Sequence, residues 1–578
     1  MPVSYDLCRL MQMRRAQWSF AVALFLVLGT AFGQMLFRPA LSVARAPASG
    51  GHPATGSQEA RPAELMPGLS HHHHPITTKN LEAQRFFDQG LTLVYGFNHE
   101  EAVRCFRRAA ELDPHSPMPL WGIAMAVGPN YYMDVDLQRE KTAYETILKA
   151  LGLAAAASEG ERGYVAALAR RYSADPKADL KTLAVDYKNA MGELARRYPD
   201  DLDAATLYAE SMMDLHPWQL WTSDGKAGEA TPEIIRVLES VLRRDPEHAG
   251  ANHYYIHALE ASPYPERALP SARRLETLVP AAGHLVHMPS HIYMRTGNYD
   301  AAAKSNEAAV KADQYYLEAT RTQDSFYGLM YYSHNLHFLA AALSMEGRFT
   351  DAKKAADDLV DNVEPYVREM PMLERFMPMP TLVLVRFHRW DEIVKSVEPN
   401  RKLMLANALW HAAQGQARSA MGDATRADLE RATVASAIAR APVDVPFWFN
   451  NSASAILNLA AVALDARIAN AKGDRKAAID HWKKAVEMQD GLNYDEPPYW
   501  FCSARESLGG ALLLDGQYEE AERVFRADLA RNPRNGRSLF GLFESLKTQN
   551  RKADAEWVQQ AFEAAWKNAD VELRVEDL

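Results

Sequence analysis

The strongest constraint on this chain is a spacing that recurs. Gly297/Ala302, Gly347/Ala352, Gly422/Ala427, Gly473/Ala478 and Gly516/Ala521 each set a glycine five residues before an alanine. Pro246 and Pro280 are 34 apart, as are Ala268 and Ala302. A chain that repeats itself folds as one small unit many times over, each burying its apolar face on the next. From about residue 80 the apolar residues keep a helical period and strand signals are almost absent. The first clear unit runs from Glu82 to Pro114, with Gly90, Ala102, Phe106, Ala109 and Pro114 at offsets 0, 12, 16, 19 and 24. Small residues let two helices approach, the phenylalanine packs between them and the proline stops the second helix. Asn98 caps that helix, with Glu101 three residues on as a capping-box-like pair.

These spacings resemble the tetratricopeptide repeat, a 34-residue helix–turn–helix. The unit from Cys502 to Pro533 carries the same pattern in Gly509, Tyr518, Ala521, Phe525 and Pro533. The resemblance implies an all-α fold, a right-handed superhelical α-solenoid over residues 81–578, in place of several unlike domains. Its departures are insertions: Pro199 to Pro246 is 47 residues and Gly297 to Gly347 is 50. Such insertions are expected as loops on one face. The segment His216-Pro217-Trp218-Gln219-Leu220-Trp221 lies in the first, either as a lid over the groove or as a passive surface loop.

Residues 1–17 carry Arg9, Arg14 and Arg15 against Asp6, and Trp18 to Phe37 runs apolar. A positive segment before an apolar core reads as an export signal, and this core is also long enough to stay as a membrane anchor. Either way residues 1–37 place the remainder outside the cytoplasm, periplasmic or tethered to the membrane. Residues 38–80 are rich in Pro, Ala, Gly and Ser and are expected as a flexible linker. The three cysteines, Cys8, Cys105 and Cys502, are scattered and form no CxxC, so neither a disulfide framework nor a thiolate zinc site is signalled. The net charge of −10 provides no basic field for nucleic acid.

The 19 histidines are uneven. Seven fall within residues 253–337, where an even spread would put about three. They follow the repeat: His253 to His287 and His257 to His291 are 34, while His284 to His334 and His287 to His337 are 50, as Gly297 is to Gly347. Glu210 lies 11 after Pro199, as His257 and His291 lie 11 after Pro246 and Pro280. His253, His257 and Glu260 share one helix face, apart from the stripe of Tyr255, Ile256 and Leu259. His284, His287 and His291 share another, with Pro289 between them as a kink or a later helix start. The tetratricopeptide resemblance implies that this face lines the concave groove.

Packed helices lie ~8–10 Å apart, so imidazoles from neighbours can share a cation at ~2.0–2.1 Å per bond. The candidate ligands are His253, His257, His284, His287, His291, His334 and His337, with Glu210 and Glu260 as oxygen donors. Tyr254, Tyr293, Tyr331, Tyr332 and Asn335 are expected around them as groove-lining partners. A ligand set of His and Glu without thiolate suits Zn, Cu or Fe. His71-His72-His73-His74-Pro75 is a second metal candidate, as a collecting arm, a segment docked in the groove, or a merely solvated tract. Met377-Pro378-Met379 offers paired thioethers but is expected to fill core. Asn493 to Trp500 is an acidic, aromatic approach to the Cys502 unit, expected as an inter-repeat loop or a partner contact. His99-Glu100-Glu101-Ala102-Val103 lacks the second histidine of a zinc-protease helix. No serine-hydrolase or nucleotide-binding motif occurs.

Two functions follow. The first is an exported metal-binding protein, with a metal-dependent enzyme as one form of it. The second is an envelope interaction scaffold whose groove takes a peptide or protein without metal, its histidines serving as polar or pH-sensitive contacts. The histidine pattern resembles a secreted, histidine-rich branch of the tetratricopeptide proteins, and that resemblance implies no reaction.

Overall fold

The computed structural model describes residues 63–69, 72–132, 136–441 and 450–578. The expected export or anchor segment lies outside them. Among the described residues no helix is long and apolar enough to cross a membrane. The architecture is all-α: helices pack against their chain neighbours as successive hairpins, and the described residues hold no strand beyond isolated bridges such as that between Trp221 and Ala227. The chain is thus a helical-repeat solenoid.

The recurrent spacing has a two-part cause. Gly297, Gly347, Gly422, Gly473 and Gly516 all adopt left-handed φ values, from 73° to 81°, which end one helix and turn the chain into the next. The alanine five residues on is buried where the second helix meets the first: Ala302, Ala352, Ala427, Ala478 and Ala521 are at most 2% exposed. The glycine within the helix Leu81–Tyr95 does a different job. A Cβ on Gly90 would fall 2.7 Å from the Phe106 ring, and one on Gly122 2.6 Å from it. Gly509 and Gly541 grip Phe525 in the same way, at 2.3 and 2.2 Å. Replacing Phe525 by alanine should therefore cost about 3–5 kcal/mol, because two helices held apart by one ring cannot both close on the void. Urea unfolding reads this as a lower midpoint.

The two insertions resolve differently. The first forms a loop with its own internal hydrogen bonds, Thr222 N to Lys226 O and Gly228 N to Leu220 O. The second is not a loop. It lengthens a hairpin into Tyr299–Thr320 and Phe326–Met345, of 22 and 20 residues, because its apolar residues continue the helical period without a breaker. Pro289 breaks its helix as foreseen: Gly283–His287 ends, Met288 intervenes, and Pro289 occupies the first turn of Pro289–Thr296.

Residues 63–69 and 72–80, expected as the end of a flexible linker, instead form a strap laid on the first helices. Leu69 is 1% exposed, Met66 N donates to Gln89 Oε1 at 2.8 Å, and Thr77 N donates to Glu161 Oε1 at 2.6 Å. Apolar burial and these fixed polar partners outweigh the chain entropy that composition alone suggested. Met379 is in the core, as expected, and Met370, Met372 and Met377 pack at its edge.

Candidate metal centre

Seven helices build the site: α1 (Leu81–Tyr95), α2 (Leu202–Met213), α3 (Ala249–Glu260), α4 (Gly283–His287), α5 (Pro289–Thr296), α6 (Tyr299–Thr320) and α7 (Phe326–Met345). The histidine face of α3 was expected on an open groove. It is closed instead, with all twelve residues of α3 buried. Four segments cover it: the turn after α1, residues 130–132, the loop of the first insertion, and residues 493–501. The repeat spacing reports on helix faces and carries no information about such segments.

The histidines fall into two triads, bridged by a mixed group of His257, His291, Glu260 and Glu496. His253, His257 and His284 form the first, and His287, His291 and His334 the second. In the first, His253 Nε2 lies 3.0 Å from His257 Nε2 and 3.2 Å from His284 Nε2. In the second, His287 Nε2 lies 2.8 Å from His291 Nε2, and the His334 ring stands 4.7 Å from that of His287. Two imidazoles on one ion, at ~2.0–2.1 Å per bond and a tetrahedral angle, place their nitrogens roughly 3.3 Å apart. The triads sit side by side, with 5.5 Å between the rings of His257 and His291 and 5.6 Å between those of His284 and His287.

The far side of four rings is occupied, which fixes where their protons lie. His253 Nδ1 donates to the Tyr95 carbonyl at 2.6 Å. His287 Nδ1 donates to Asn306 Oδ1 at 2.6 Å, and Asn306 is itself oriented because its Nδ2 donates to Ala302 O. His257 Nδ1 donates to Glu260 Oε1 at 2.8 Å, and His291 Nδ1 donates to Glu260 Oε2. One carboxylate therefore orients one histidine of each triad. In the neutral rings of His253, His257 and His287 the proton is on Nδ1, and Nε2 carries a lone pair aimed at its neighbours.

The electrostatics separate the two triads. Burial, then the neighbouring His257, holds His253 well below the usual histidine range, and burial, then His253, does the same for His284. His257 is lowered to about 3, mainly by burial. A proton is thus a poor substitute for a cation in the first triad. In the second, burial and then His291 lower His287. His291 itself is raised to about 10: burial opposes this, but Glu496 and Glu260 overrule it.

Glu496 was not anticipated as a site residue. Its Oε2 lies 2.7 Å from His291 Nδ1, and Tyr132 donates its hydroxyl to Oε1 at 2.5 Å. It belongs to a one-off segment, 236 residues beyond Glu260 in sequence, and the only hint was an acidic pair among aromatics and prolines. Each triad also has one phenylalanine against it. The Phe97 ring is 4.6 Å from that of His253 and 5.4 Å from that of His284, and Phe338 is 4.8 Å from His287 and 4.6 Å from His291. Phe97 reaches its place through a left-handed φ of 56°, unusual for a bulky residue.

The other expected residues scatter. Tyr254 stacks on His253 at 5.3 Å and Tyr331 meets His284 edge-on at 5.0 Å, so both border the first triad. Asn335 donates to Asp313 Oδ2, Tyr332 accepts from Gln314 on the outside, and Tyr293 is turned away towards Glu276. His337 stands against Phe376, 5.6 Å between rings, and joins neither triad. It follows His334 by three residues, which turns it about 60° around the helix. Glu210 lies with Asp214 and Arg171, where burial and Asp214 raise its pKa, and it joins no histidine.

His71 lies outside the described residues. His72 and His74 dock on Asp203 of α2, with His72 Nε2 to Oδ1 at 2.9 Å and His74 Nδ1 to Oδ2 at 2.8 Å, while His73 pairs with Asp88. His248 Nε2 is 3.3 Å from the same Oδ1, and Tyr95 adds its hydroxyl. Because His248 Nδ1 accepts from Ala251 N, its Nε2 carries the proton. His72 with Asp203 and His248, and His74 with Asp201 and Asp203, are spaced to share a cation, but hydrogen bonds already satisfy them and His248 Nε2 keeps no lone pair. Burial alone would lower His72 and His74, but Asp203 raises both, and their positive charge holds Asp203 well below the usual carboxylate range against its own burial.

The chain resembles several solved helical-repeat structures at low identity. The human IFIT1 dimer with m7Gppp-AAAA is 13% identical over 85% of this chain and 91% of that one, with a TM-score of 0.31. The APC/C hetero-tetramer Cut9-Hcn1 is 10% identical over 86% and 89%, TM-score 0.28, and the P58(IPK) TPR domain 12% identical over 81% and 99%, TM-score 0.21. No protein-family profile matches the chain, and no curated protein matches it. Nothing about the histidine site is carried over from these structures.

Proposed function

We propose that this chain is a metal-binding helical-repeat protein that holds a pair of transition-metal ions, one in each histidine triad. The observation that carries this reading is the pair His253 and His257: the Tyr95 carbonyl and Glu260 take their Nδ1 protons, leaving two buried lone pairs facing each other at 3.0 Å. A cation between them makes that contact favourable. Imidazole donors backed by carboxylates select Zn, Cu or Fe over Mg or Ca. Bound there, such ions supply Lewis-acid or one-electron chemistry. The chain's own residues set the access: a cavity of about 10 Å³ beside His257, lined by Tyr131, Trp218 and Trp221, admits molecules the size of water. Export is part of the same proposal and rests on the sequence of residues 1–37. The alternative, a metal-free groove for a peptide, needs histidines that a peptide can reach, and His253, His257, His284, His287 and His291 are at most 1% exposed.

The test is elemental analysis of full-length protein purified from its native compartment. About two equivalents of one transition metal per chain are expected. Less than about 0.1 per chain, with no gain on adding Zn, Cu or Fe, overturns the proposal.

A further inference from the structure

A second cluster of charge lies away from the histidines, in the C-terminal part of the array. Arg386 ends the helix Met379–Arg386, Arg467 lies on Ala453–Ala471, and Arg537 lies on Gly536–Thr548. All three line one cavity of about 30 Å³, together with His388, Trp482 and Ser507. Arg386 and Arg537 share Glu506: Arg537 Nε donates to Oε2 at 2.7 Å, and Arg386 Nη1 donates at 3.3 Å. Arg467 has no such partner. Its Nη2 donates to His388 Nε2 at 2.9 Å, its guanidinium lies over Trp390 and Trp482, and its buried Nε has no acceptor.

The neighbouring groups do not balance it. His388 is held neutral, pushed well down by burial and then by Arg467 and Arg537. Burial raises Cys502 to about 11, so the thiol beside the cavity is uncharged. Asp577 is outside the lining: it is ion-paired with Arg574, its Oδ1 is 3.9 Å from His388 Nδ1, and it offsets the Arg467 charge only from that distance. Asp528 is turned to Ser503 and Ser538 and reaches Glu506 only through Asn535. Three guanidinium groups therefore face one carboxylate inside the cavity, and a buried unpaired charge is costly.

We propose that this cavity binds a small monovalent anion, a halide or a one-carbon carboxylate, between Arg467 Nε and Ser507. The volume fits two or three heavy atoms. A planar guanidinium with a free N–H is the natural donor for a carboxylate or halide. The inference is independent of the metal reading, since no residue of either triad lines this cavity.

Crystals of the full chain soaked in sodium bromide test it directly. Anomalous density within hydrogen-bonding reach of Arg467 Nε is expected; bromide confined to the surface, an adventitious ion only, overturns the proposal. In solution, chloride and formate are titrated separately against gluconate at constant ionic strength. The wild-type melting temperature should rise roughly 1–2 °C per tenfold increase beyond half-saturation. A response to both identifies a general small-anion site, and a response to formate alone identifies carboxylate recognition. R467M should respond to neither. If R467M does not fold, A463L serves, because it fills the cavity and leaves every charge in place. Wild-type and variant responses that coincide overturn the proposal.

Discussion

Replacing His253 and His287 together by alanine is expected to reduce bound metal from about two ions per chain to below roughly 0.2. His253 Nε2 is central to its triad and the His287 ring is central to its own, and each is held by an acceptor that serves no other imidazole. Two remaining rings per triad give too few ligands for a closed site. Far-UV circular dichroism should change little, because alanine favours helix at both positions: His253 is inside α3, and His287 closes α4 where Pro289 begins the next helix. The stability comparison is sharper. Loaded wild type should exceed its own metal-free form by about 4 kcal/mol per ion, about 8 kcal/mol for the pair, at a thousandfold excess of metal over its dissociation constant. The metal-free variant should be about as stable as metal-free wild type, because the lone-pair repulsion relieved between His253 and His257 offsets the packing lost at both positions. A variant that keeps its metal, or that unfolds where the metal-free wild type does not, contradicts the two-ion reading.

Replacing Asp203 by alanine should cost about 3–5 kcal/mol and weaken metal binding about 10–100-fold, although Asp203 touches neither triad. The stability loss follows from His72, His74, His248 and Tyr95, all of which lose a buried acceptor together. The affinity loss follows from Tyr95, whose hydroxyl is fixed by Asp203 while its carbonyl fixes His253. A Cβ on Gly250 would fall 2.4 Å from the Tyr95 ring, so that ring is wedged tightly against α3. The pH dependence has two limbs. His72 and His74 are raised, so their contribution is complete below the unfolded value near 6.5 and is lost as pH rises through their folded values. Asp203 is lowered, so its contribution is present above its unfolded value of 3.8 and is lost as pH falls through its folded value. Limited proteolysis across residues 63–80 should thus be slow in mildly acidic solution and faster on the alkaline side. D203N should flatten that profile, and an unchanged profile would remove the strap's electrostatic explanation.

Much of this architecture was legible in the residues. The glycine–alanine interval marked the turns because only a left-handed turn followed by a close helix contact demands both residues at that spacing. The histidine register was legible for a related reason: repeated helices put equivalent positions in equivalent places, which brought His253, His257, His287 and His291 together. His337 was assigned by the same arithmetic and is absent from the site, because the 50-residue unit is a lengthened hairpin in which His334 takes the inward position. Glu496 and Phe97 were not legible, since each occurs once, on a connecting segment, and periodicity is silent about what happens once. Burial of the whole centre was missed for the same reason.

The contact between Tyr132 and Glu496 joins residues 364 apart in sequence. An array of this kind ordinarily behaves as a spring, each repeat meeting only its neighbours and free to unwind from an end. Here distant coils are stitched across the centre, and the stitch includes the groups that orient His257 and His291. The fold therefore cannot be shortened repeat by repeat with the centre surviving, and it cannot stretch without opening it. Mechanically the chain is less a spring than a clasp, with the histidines in its fastening.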